Sequence, residues 1–101
     1  MERTAQEIYD DIGRIHKNLR DMNDLTIRLA RELHLTQSAM HIAHAGLTGK
    51  NPEESARAIG AIANDIDRIS QEMQGNVIRV VNADREMLKV DMADLKEILG
   101  L

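Results

Sequence analysis

Apolar side chains recur every three or four residues from Ala5 to Ala43 with no proline between them, and this run constrains the chain more than any other feature. The ladder climbs through Ile8, Ile12, Ile15, Leu19, Met22, Leu29, Leu33 and Met40, with Thr26 and Thr36 as polar rungs. Steps of three and four keep side chains on one stripe of an α-helix, and sustained over several heptads they form a coiled-coil seam. One helix from about residue 3 to 45 would be ~65 Å long at the standard rise.

The stop signal is equally local. In "GLTGKNPEE" Gly46 or Gly49 is expected to take the left-handed conformation that closes a helix. Asn51 suits an N-cap, Pro52 the first helical position, and Glu53 and Glu54 the positive end of the new dipole. A second ladder follows through Ile59, Ile62, Ile66, Ile69 and Met73, then slips to Val77, Val81, Leu88, Leu95 and Leu99. The slip reads as one extra four-residue step around Gly75, the mark of a stutter. Alternatively Gln74–Asn76 is a tight turn that opens a third helix.

The pattern therefore predicts an all-α chain and a single domain over 1–101. Its form is a long antiparallel helical hairpin, helices about 3–45 and 52–99, with the turn at 46–51 and a kink near 74–76. Two helices leave each seam half open, so the natural completion is a homodimer forming a four-helix bundle. The alternative is a three-helix bundle broken near Gly75.

Composition narrows the function classes. A net charge of −4 and a single aromatic residue, Tyr9, argue against a phosphate-binding or base-stacking surface, so no nucleic acid is expected. With no cysteine, disulfides and thiolate chemistry are excluded. No apolar run is long enough to span a bilayer, and a cytoplasmic location is expected. "GLTGK" is not a phosphate-binding loop, because His44 and Asn51 stand where that pattern needs Gly and Ser or Thr. No catalytic signature appears, and the chain is not expected to be an enzyme.

Charged residues form 30% of the chain, yet Leu33 to Gly49 contains none and holds three of the four histidines. His34, Gln37, His41 and His44 share one side of the helix. With facing residue numbers totalling about 97, they would meet Glu53, Ala56, Gly60 and Ala63. One reading is imidazole rings filling the space above small side chains, with Gly60 kept for close packing. A rival is a zinc site built from His41, His44 and Glu53 or Glu54, with His34 a heptad away, or a haem held by two imidazoles.

Leu25, Ile27, Leu35, Met40, Ile42 and Leu47 surround that stripe, and four of them, Leu25, Ile27, Leu35 and Ile42, lie off the seam, more apolar surface than one helix can cover. The leading expectation is a non-enzymatic oligomerisation or protein-interaction module with those six at its interface, its partner a second copy or another helical protein. Asp84 falls on the slipped seam, where it either pairs with Arg14 or is rotated into solvent. Asn76 and Thr26 are expected to form a polar layer that sets register, or to mark a bend.

Overall fold

The computed structural model describes residues 3–101. All regular structure among them is helical. Helix α1 spans Ala5–Gly46, α2 spans Pro52–Glu72, a π-helical segment covers Met73–Ile78, and α3 spans Arg79–Leu99. No turn interrupts the second arm at Gln74–Asn76; α2, the π segment and α3 run on as one rod.

Both helix starts follow from their caps. Thr4 Oγ1 accepts from the Glu7 backbone N–H, and Asn51 Oδ1 accepts from that of Glu54, each satisfying one donor that the first turn leaves free. The end of α1 differs from the expectation. Neither Gly46 nor Gly49 has positive φ; the helix closes in a tight final turn, with the Leu47 N–H reaching back to His44 and Ala45. Gly46 packs close against α2: a Cβ there would displace the Ser55 hydroxyl and press on the Ser55 Cβ at 3.3 Å.

The arms run antiparallel. Arg28 bonds Glu72, and Glu32 bonds Arg68, each at 3.1 Å, so facing residue numbers total 100 rather than 97. The buried line of α1 recurs every seventh residue: Ile8, Ile15, Leu29, Thr36 and Ala43, with Met22 half-buried between. On the second arm the line is Ile62 and Ile69, then Val77, Asp84 and Asp91. Leu29, Ile69 and Val77 form the central core, flanked by Met22, Leu25 and Met73.

The step from Ile69 to Val77 is eight residues, where every other step is seven. The irregularity is thus one inserted residue, absorbed by the wider π winding, and not a four-residue stutter. No polar layer forms beside it: Asn76 is exposed, and the Thr26 hydroxyl donates to the Met22 carbonyl of its own helix at 2.7 Å. Two aspartates occupy core positions, and Asp84 overturns both expectations for it. Asp84 is buried and makes no ion pair with Arg14, which bonds Asp11.

The molecule measures 73 × 17 × 17 Å. Among the described residues no helix is long and apolar enough to cross a membrane.

Candidate functional site

With the buried line of each arm fixed, the remaining surface divides into sides. On a heptad wheel, positions four beyond the buried line flank it at about 50°, and positions one beyond lie at about 100°. On two antiparallel arms these positions share a side. A groove of about 430 Å³ lies along it, lined by Leu33, Thr36, Gln37, Met40, His41 and His44 of α1 together with Ile66 of α2.

On α1 this side comprises Tyr9, His16, Asn23, Ala30, Gln37 and His44 on the outer row. The inner row is Ile12, Leu19, Thr26, Leu33, Met40 and Leu47. Not one of these twelve is Asp, Glu, Lys or Arg. The second arm contributes Ile59, Ile66, Met73, Val81, Leu88 and Leu95 on its inner row. Its outer row is Ala56, Ala63, Ser70, Ile78, Arg85, Met92 and Leu99, in which Arg85 is the sole charge.

In a chain with 30% charged residues, twenty-five such positions would ordinarily hold about seven. Large apolar side chains stand open along the whole side: Leu33 at 50% exposure, Ile66 at 43% and Met92 at 51%, with Leu19, Ile78, Val81 and Leu99 also exposed.

The opposite side carries the charge. It holds the Arg28–Glu72 and Glu32–Arg68 pairs, and at the far end Arg3 bridges Asp91 and Asp94, reaching Asp94 at 2.8 Å. There the Asp91 side chain is wholly buried against Asp11. Burial raises the Asp91 carboxyl above the usual carboxylate range, and Asp11 adds to this against the pull of Arg3. The Asp11 carboxyl is lowered, first by its hydrogen bond with Asp91 and then by Arg14 and Arg3. The Oδ2 atoms of Asp11 and Asp91 are buried with no other donor among the described residues. A proton shared between the two carboxyls would satisfy both.

The six residues anticipated as an interface do not gather into one patch. Met40, half-buried, and Leu47 lie on the uncharged side, and Leu25 packs into the central core. Leu35 and Ile42 are exposed on the charged side, where Ile42 edges a second groove with Ala39, Ala58 and Ile62. Ile27 is exposed on the outer flank.

The histidines also depart from the expected arrangement. His34, His41 and His44 are exposed, as are Glu53, Ala56, Gly60 and Ala63, so the imidazoles do not fill space above small residues. The reason is angular. His34 and His41 lie five positions beyond the buried line, so that His41 only rims the groove beside Ile66, while a Cβ on Gly60 would meet nothing within 4 Å. Among the described residues no group of three or more His, Cys, Asp or Glu side chains comes close enough to hold a metal ion.

The reading from sequence missed Tyr9, Leu19, Ile78, Val81, Met92 and Leu99 as surface residues of one side. The signal for them is the run of uncharged positions beside the buried line, which on the second arm becomes visible only once the eight-residue step at the π segment is allowed for. No protein-family model, no curated protein and no solved structure matches this chain.

Proposed function

We propose that the chain is a non-enzymatic oligomerisation module: two copies pack through their uncharged sides to form a four-helix bundle. The observation that carries this reading is the near absence of charge along that side over the full length of the rod. Such a side, rich in Ile, Leu and Met, is the composition of an obligate interface core, where charged residues are depleted.

Surface area supports the same conclusion. A compact monomer of this mass exposes about 5,800 Å², whereas the rod exposes 7533 Å². The excess of about 1,700 Å² is what one copy would bury in a large obligate interface. Its radius of gyration of 21.8 Å compares with about 13 Å for a compact chain of this length.

Sedimentation equilibrium tests it. The chain is expected to run as a dimer at micromolar concentration, and a Leu33→Glu, Ile66→Glu double variant as a monomer that retains helix only in part. A wild-type chain that stays monomeric at high micromolar concentration overturns the proposal and directs attention to a different helical partner.

A further inference from the structure

We infer that the second copy lies end for end against the first, the turn of one rod beside the chain ends of the other, so that the second arms stack on each other around their π segments. This rests on the dimeric reading above and adds the arrangement of the two copies.

Two copies can place their uncharged sides together about a two-fold axis in only two ways. An axis along the rod keeps the rods parallel and sets each second arm over the partner copy's α1. An axis across the rod reverses one copy and sets like arm over like arm. The outer flank of the second arm decides between them.

That flank, five positions beyond the buried line, is acidic near the turn, with Glu53 and Asp67, and basic at the far end, with Lys89 and Lys96; Gln74 marks the middle. Arg85 on the adjoining row adds to the basic half. Reversing one copy about Gln74 sets Glu53 of each chain beside Lys96 of the other, and Asp67 about one helical turn from Arg85, within reach of its long side chain. In the parallel arrangement this flank would instead lie over the matching row of α1, Gln6, Gly13, Arg20, Ile27, His34 and His41, which holds no carboxylate for Lys89 or Lys96. Glu53, Asp67 and Lys96 enter no ion pair within the chain among the described residues.

Size follows the same gradient. The outer row of this arm is small near the turn, at Ala56 and Ala63, and large at the far end, at Met92 and Leu99. Reversal about Gln74 lays Met92 over the partner copy's Ala56 and Ile78 over its Ser70, the alternation of large and small that fills a bundle without voids. In the parallel arrangement Met92 would instead meet the level of Tyr9, bulk against bulk.

Charge exchange tests the arrangement. One variant carries Glu53→Lys and Asp67→Lys, making the flank uniformly basic; the other carries Arg85→Glu and Lys96→Glu, reversing the basic half. Each alone is expected to self-associate at least tenfold more weakly than wild type at low salt, since four cross-rod contacts become repulsive or are lost. An equimolar mixture is expected to recover wild-type affinity as a heterodimer.

A second measurement is independent of charge: in a chain without cysteine, Gln74→Cys is expected to give an oxidised covalent dimer. Dimers that ignore both exchanges and leave the Gln74→Cys variant uncrosslinked overturn the end-for-end arrangement while keeping the dimer. Monomers in every sample, wild type included, overturn the dimeric reading itself.

Discussion

At the scale of single residues, the two core aspartates separate stability from specificity. Asp84 is only 4% exposed, stands on the line otherwise held by Ile62, Ile69 and Val77, and leaves Oδ2 buried without a partner among the described residues. A carboxyl oxygen buried without a donor costs more than the contacts around it return. Asp84→Leu is therefore expected to stabilise the fold by about 2 kcal/mol, read as a higher urea midpoint at unchanged slope. A lower midpoint would mean that Asp84 meets a donor supplied by the second copy.

Asp91 behaves differently, because Arg3 and Asp11 both engage it. Its carboxyl is raised in the folded state, so folding takes up a proton once the pH exceeds the unfolded value of about 4. Its contribution is thus whole below that pH and declines as pH rises through the raised folded value. Asp11, lowered, contributes in the opposite sense: its share is present above about pH 4 and is lost as pH falls through its own folded value. Asn in place of Asp91 accepts from Arg3 and donates to Asp11 without needing a proton. Asp91→Asn is expected to remove the decline on the alkaline side and leave the acid-side loss, seen as the difference between wild-type and variant urea midpoints across pH.

At the scale of elements, the π segment is an accommodation of length. Deleting Gly75 would restore a seven-residue step from Ile69 to the next core position and remove a glycine that costs about 1 kcal/mol in a helix interior. A Cβ at Gly75 would meet nothing within 4 Å, so no close approach depends on that glycine. The shortened chain is expected to keep its helicity and melt at an equal or higher temperature.

Deleting Ala30 from α1 is the contrast, because that helix has no wide turn to absorb the change. It would rotate Thr36 and Ala43 about 100° off the buried line. A melt several degrees lower is expected.

The same elements show what could be read in advance. The Asn51–Pro52 start was legible because a cap and a proline act within one turn of the chain. The one-residue insertion was not, since Met73, Val77 and Val81 make an unbroken apolar ladder whether the turn between them is α or π. Nor was the burial of Asp91, which depends on Arg3, 88 residues away, reaching across to it.

At the scale of the molecule, the same sequence pattern has to serve two interfaces, one within the chain and one between copies. The inner contact is a single line of residues seven apart, interrupted by Asp84 and Asp91 and closed near the turn by Thr36 and Ala43. A line so thin gathers just three buried residues, Leu29, Ile69 and Val77, into its central cluster among the described residues, and gives the rod little independent stability. If the uncharged sides complete the fold, unfolding and dissociation are one event.

The apparent stability must then depend on concentration through mass action, rising by about 1.4 kcal/mol for each tenfold increase in protein, measured per mole of dimer. Thermal melts followed by circular dichroism over a hundredfold range of concentration are expected to shift upward by several degrees at each decade. Helix signal and dimer signal should disappear together. Melts that superimpose at every concentration would show that the rod stands alone and that its open side is not completed by a second copy.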